Sequence, residues 1–233
     1  MTRYIATFII AITSVVAINA QNYIVVCFSR SGNTREIGKE IARQTDSDFV
    51  EVMPAIPYPS DYNSTLSRAQ EEIAAIAKGE YPEINTVVNN LSSYDAVFIC
   101  TPLWYGGMST PMQSFLHKYS EEMRNMPVAM AVTSSSTGIS GVDADLSELC
   151  PDSYRMGASL WVRASQVGNA DALVENWLKT LTLPDGTSSI HNIQIDEQSE
   201  SANSAIYDLN GRRLYQKPIQ GIYIQNGKKY IAN

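Results

Sequence analysis

The chain has 233 residues, 44% hydrophobic and 18% charged, enough for one α/β domain of ordinary size and an appendage. Its formal net charge is −7, and residues 21–186 concentrate the excess, with 11 Lys+Arg against 20 Asp+Glu, a net of −9. That acidity argues against nucleic acid as a partner, since such binding neutralises phosphates, and it suits docking onto a basic protein.

Residues 1–20 read as a secretory signal. Arg3 precedes a nearly continuous apolar run over 5–18, and Ile18-Asn19-Ala20 makes a small-residue exit, with cleavage expected after Ala20. The run is shorter than the roughly 20 residues a bilayer-crossing helix needs, so no membrane span is expected after cleavage. The chain is therefore expected to be exported, to the periplasm, the cell surface or the medium. Its three cysteines, Cys27, Cys100 and Cys150, are few for a disulfide scaffold and are expected to be packing residues. The two histidines, His117 and His191, stand apart from any Cys/Asp/Glu cluster, and no metal site is expected.

From 21 to 184, short apolar runs alternate with segments of helical period. Strands are expected at 23–28, 49–53, 95–101, 127–133 and 156–163, each rich in Val, Ile or aromatic residues, as strands buried on both faces are. Helices are expected at 33–44, 64–78, 110–123, 143–149 and 170–181. Asn33 or Thr34 would cap the first, and Ser64-Thr65 the second. Five βα units in succession predict a doubly wound parallel sheet in the order 2-1-3-4-5, with a ligand at the carboxyl ends of strands one and three.

After Pro184 the texture changes. A polar linker is expected at 185–203 and a small β unit at 204–233, where IYDLNGRRL (206–214) recurs as IYIQNGKKY (222–230). Each copy surrounds an Asn-Gly pair, a strong hairpin signal. Tyr207-Asp208-Leu209-Asn210-Gly211-Arg212 and Gly221-Ile222-Tyr223-Ile224 resemble the C-terminal sorting or attachment tails of exported bacterial proteins. That resemblance implies attachment to the cell envelope; the alternative is an accessory β appendage.

The loop after the first strand, Ser29-Arg30-Ser31-Gly32-Asn33-Thr34, carries the chemistry. It lacks the Gly-Lys pair of an ATPase loop and the three glycines of a dinucleotide loop. Cys27 would suit a tyrosine phosphatase, but position 33 is Asn where an arginine would hold the phosphoryl group. What remains is a set of hydroxyls around a turn glycine at a helix start, where backbone N–H groups bind anions without a side-chain charge.

Ser-x-Ser-Gly-x-Thr after a first strand resembles the phosphate loop of flavodoxins. The likeness continues with Pro102-Leu103-Trp104-Tyr105-Gly106 after the third strand and with the loop bearing Ser134, Ser135, Ser136 and Gly138 after the fourth. This resemblance implies FMN as cofactor. The phosphate would sit on Ser29, Ser31, Thr34 and the amides of Arg30, Gly32 and Asn33. The ring would lie against Trp104 or Tyr105, and its polar edge against the 134–138 loop. The third loop has no aromatic residue where short flavodoxins have one, which leaves one flavin face bare or covered by Met108 or Tyr58. No side chain is expected to act as a catalytic acid, base or nucleophile. Three functions follow: an electron carrier serving a redox partner protein, an FMN-dependent reductase of a quinone or other small acceptor, or an exported domain binding little or no flavin.

Overall fold

The computed structural model describes residues 21–135, 138–184, 206–207, 213–214, 221–225 and 228–232. The chain divides into two units, residues 1–190 and 191–233. The signal segment 1–20 and the linker 185–203 lie outside the described residues. Among the described residues, no helix is long and apolar enough to cross a membrane.

In the first unit the chain runs β1 (Tyr23–Cys27), α1 (Asn33–Thr45), β2 (Asp48–Glu51), α2 (Tyr62–Ile76), β3 (Ala96–Trp104), β4 (Gly107–Met108), α3 (Thr110–Tyr119), β5 (Pro127–Ser134), α4 (Ser140–Leu149), β6 (Tyr154–Arg155), β7 (Leu160–Arg163) and α5 (Ala170–Leu178). The parallel order is β2-β1-β3-β5, with β6 and β7 sharing the outer place beside β5. This is the expected flavodoxin-like doubly wound sheet. β1 is buried at every position, which its unbroken Tyr-Ile-Val-Val-Cys run requires.

Successive side chains feed two cores. Ile24, Val26, Val97, Ile99 and Met130 pack under Phe115 and Leu116 of α3 and Leu146 of α4. Val25, Phe98, Cys100 and Ala131 pack under Ile37 and Ile41 of α1 and Val174 and Trp177 of α5. Each fully buried aliphatic side chain contributes about 1.5–3 kcal/mol relative to exposure. The three cysteines are buried free thiols.

Several boundaries differ from those expected. α2 begins at Tyr62 because Asp61 caps it, its carboxylate accepting the Ser64 N–H at 3.0 Å. Gly32 occupies the cap position of α1. The fifth strand is split between β6 and β7, and in the segment between them Ala158 O accepts the Trp177 indole N–H at 2.8 Å. β3 does not end at residue 101: it runs on to Trp104, and β4 folds back on it with Leu103 opposite Met108 and Trp104 opposite Gly107. Tyr105 and Gly106 turn this hairpin with φ of 48° and 85°, the double positive φ of a type I′ turn.

The second unit contains β8 (Ile206–Tyr207), β9 (Arg213–Leu214), β10 (Gly221–Gln225) and β11 (Lys228–Ala232), an antiparallel sheet in the order β11-β10-β8-β9. The two expected Asn-Gly turns lie outside the described residues.

Candidate functional site

Three loops leave the carboxyl ends of β1, β3 and β5. In the first, Ser29 is buried and its hydroxyl accepts the Gly32 N–H at 3.1 Å, tightening the turn into α1. Gly32 takes φ 97°, and no side chain caps the helix, so hydroxyls and backbone amides form its donor set. Ser31 is exposed, while Gly32 and Asn33 are half-buried. Thr34 is buried and its hydroxyl shares a 2.7 Å hydrogen bond with Thr133 at the end of β5. One hydroxyl donates to the other, so the acceptor keeps its own proton to give. This bond joins the first loop to the base of the third.

Arg30 is turned away from the loop. Its guanidinium donates to Thr65 Oγ1 at 3.1 Å and to Ser60 O at 3.1 Å, which fixes the segment that enters α2. The loop therefore gathers donors around Gly32 while its only cation is bound elsewhere. Cys27, below it, is buried, and desolvation pushes its thiol well above the ordinary range, with Cys100 and Glu51 adding to the effect. A neutral buried thiol is no phosphatase nucleophile.

The second loop is the hairpin. Pro102 still lies in β3, opposite Thr133 of β5. Trp104 packs edge-on against Phe28 at 5.4 Å and Tyr58 at 5.2 Å between ring centroids. Tyr58 is itself held: its hydroxyl donates to Glu72 and lies 2.9 Å from Thr110 Oγ1, while Arg68 stands 4.0 Å over its ring. Burial and the Glu72 carboxylate push the Tyr58 hydroxyl far above its usual pKa, so it is a neutral donor. Tyr105 is half exposed, and its hydroxyl donates to Leu66 O at 3.2 Å. Met108 is fully buried in the core. It therefore cannot cover a flavin face, a correction to that expectation: pairing with Leu103 turns its side chain inward. At the hairpin tip, a Cβ on Gly141 of α4 would stand 2.0 Å from Gly106 O, so the two chains meet only because residue 141 is glycine.

In the third loop, Ser134 is buried and its hydroxyl accepts the Trp161 indole N–H at 2.7 Å. Ser135 and Gly138 are exposed, and Ser136 lies outside the described residues. Arg163 stands 4.9 Å over the Trp161 ring. Sequence reading missed Trp161, because a tryptophan inside a strand reads as core. It also missed Glu72, which carries no signal of its own on an amphipathic helix.

Two clefts adjoin these loops. One, of about 340 Å³, runs from Phe28, Ser29 and Arg35 to the Pro54–Pro59 segment. The other, of about 240 Å³, is an aromatic slot between Tyr62 and Leu66 of α2 and Leu103, Trp104 and Tyr105 of the hairpin, with Arg30 at its end. A planar ring fits such walls, and neutral donors at a helix start suit a phosphate ester.

Comparisons with known proteins bear on the fold. No curated protein matches the chain. Among solved structures, a flavoprotein candidate from Bacteroides eggerthii is 22% identical, with a TM-score of 0.58 over 70% of this chain and 98% of its own. A Lactobacillus acidophilus flavoprotein in complex with FMN is 24% identical, with a TM-score of 0.53 over 64% of this chain and 97% of its own. These likenesses show the fold. The sequence profile of the flavodoxin family matches residues 22–181, and with it the chain belongs to the flavodoxin family.

Proposed function

We propose that the first unit is an FMN-binding electron-transfer domain of an exported protein. One observation carries the reading: the Thr34–Thr133 hydrogen bond ties a neutral phosphate loop to the strand whose third loop would meet the flavin edge, beside a fixed tryptophan. The residues fit the cofactor by their donor set. Ser29, Ser31, Thr34 and the amides from Arg30 to Thr34 would hold the phosphate, each charged-acceptor bond being worth about 1.5–3 kcal/mol before the cost of association. Trp104 or Tyr105 would cover the ring, with Pro102, Leu103 and Gly106 shaping the backbone beside it. Ser134, Ser135, Ser136 and Gly138 would face its polar edge.

Bound FMN supplies the one- and two-electron chemistry; the chain binds, orients and tunes it. The net charge of −9 over residues 21–186 disfavours added negative charge on the flavin. The reduction potential of the bound cofactor is therefore expected below that of free FMN, and a raised potential would contradict this account. The same charge suits a basic redox partner. Export through the 1–20 signal, with retention at the cell envelope through the C-terminal unit, belongs to this reading.

A second reading is an FMN-dependent reductase. It is favoured by the aromatic slot, which offers a planar acceptor such as a quinone a place beside Trp104. Oxidation of NAD(P)H with a quinone present separates the two: turnover supports the reductase, and its absence with bound flavin supports the carrier. The decisive test is to mix residues 21–233 with FMN, desalt, and measure flavin absorbance and fluorescence. Retained yellow colour with quenched emission is expected. A colourless protein after incubation in excess FMN sinks both readings and leaves the domain without a flavin role.

A further inference from the structure

A cleft of about 380 Å³ opens between α2, α4 and the hairpin, and none of its lining residues comes from the 29–34 loop. Its two walls differ. Ile73 and Ile76 of α2 and Ala77 just after it, with Trp104 and Leu149, make an apolar side; Asp145 and Glu148 of α4 make an acidic one. Among the described residues, no Lys, Arg or His lines it.

The two carboxylates lack the cation that Asp143, on the same helix, finds in Arg155. Glu40, Glu51, Glu72, Asp143 and Glu175 each lie 2.5–2.7 Å from an Arg or Lys nitrogen. Asp145 and Glu148 form no ion pair among the described residues. Asp145 is also fixed in place. Its Oδ2 accepts the Met108 N–H at 2.6 Å, and a Cβ on residue 107 would stand 2.7 Å from that oxygen, so Gly107 lets the carboxylate reach the hairpin. Partial burial pushes Asp145 upward in pKa, and Glu148 adds to the shift, so its ionised form lacks the partner it favours.

We propose that this cleft binds a small organic cation, a primary ammonium on an apolar body, with the ammonium between Asp145 and Glu148 and the body against Ile73, Ile76 and Trp104. The volume lies in the range of about 300–1,000 Å³ usual for small-molecule sites. A neutral molecule of the same shape fills the apolar side but leaves a half-buried carboxylate desolvated without a counter-charge. An anion meets two like charges. The ranking is therefore ammonium, then alcohol, then carboxylate.

The test uses the mature chain, residues 21–233, and three probes of one shape: 2-phenylethylammonium, 2-phenylethanol and phenylacetate. Titrations are followed by calorimetry and by the NMR signals of the Met108 amide and the Trp104 indole. The ammonium should saturate both signals and bind about tenfold tighter than the alcohol, as one added charge-assisted hydrogen bond implies. Asp145→Asn with Glu148→Gln should bring the ammonium down to the alcohol's affinity, since Asn still accepts from Met108. Should that pair fail to fold, Glu148→Gln alone, at an exposed position, should narrow the gap. Equal binding of ammonium and alcohol, no saturation, or a gap indifferent to either variant overturns the proposal. Because Trp104 and Tyr105 line this cleft and would also cover the flavin ring, the titrations use the FMN-free chain, and FMN retention, measured separately, does not decide the result.

Discussion

The first and second loops of the candidate site sit on neighbouring strands and are built in opposite ways. The 29–34 loop closes on itself at its glycine, where Ser29 takes the Gly32 N–H three residues on, and its distant ties are hydrogen bonds from Thr34 to Thr133 and from Arg30 to Thr65 and Ser60. The 102–108 hairpin is held from outside, by Phe28 and Tyr58 against Trp104, Asp145 beneath Met108, and Gly141 against Gly106. Amides at a helix start need little help to point at an anion. A ring-stacking surface depends on how side chains from several elements set its plane. Damage to the first loop should therefore be local and chemical, and damage to the second should spread.

The largest expected break is Gly141→Val. Its Cβ would overlap Gly106 O, so the hairpin or α4 must move, at about 3 kcal/mol read as a shift in urea midpoint, with FMN retention lost alongside. Trp104→Ala follows at about 2 kcal/mol, below the range for a fully buried tryptophan because the ring is only half-buried. On the first loop, Thr34→Val and Thr133→Val should each cost about 1 kcal/mol. The double variant should cost little more than either, since removing both partners leaves no polar group unpaired. If Thr34→Val proves more damaging to stability than Gly141→Val, the contrast between the loops is wrong.

A pH series sharpens the comparison, because each region has a carboxylate shifted in the opposite sense. Glu40 lies in the helix behind the first loop, and hydrogen bonds from Arg43 and Gln44, working against its burial, hold it down to about 2. Its folded pKa is below its unfolded one of roughly 4.3, so its contribution is complete above the unfolded value and lost as pH falls toward about 2. Asp145, under the hairpin, is raised mainly by burial, so its ionisation costs stability above its folded pKa and the cost vanishes in acid. Glu40→Gln should thus flatten acid unfolding between about pH 4 and 2, while Asp145→Asn should raise the neutral-pH melting temperature and change nothing in acid. The smallest effect is expected from Tyr105→Asn. It creates the Asn-Gly pair that type I′ turns favour and loses the bond to Leu66 O, for a net change of a few tenths of a kcal/mol.

Much of the fold was legible because its signals are local. Five apolar runs with helices between them left few arrangements, and Ser29 to Thr34 announced a phosphate loop by residue type alone. The hairpin was not legible. The apolar run predicts a third strand ending at residue 101, yet the strand continues through Pro102 to Trp104 and pairs there with β4. Met108 read as one of two candidates, with Tyr58, to cover a flavin face otherwise bare, and only its pairing with Leu103 and its burial show it turned into the core. Trp161 and Ser134 are 27 residues apart, and nothing in either neighbourhood foretells their bond.

Alternation of apolar runs, a turn glycine among hydroxyls and an excess of acids settled the class of sheet and the sign of its surface, since periodicity and charge are properties of the chain itself. Which aromatic rings brace one another, which carboxylates find a cation and which do not, and how closely the hairpin lies on α4 were settled by folding. Those relations exist only between residues far apart along the backbone, and they depend on ångström-scale packing that no local pattern encodes.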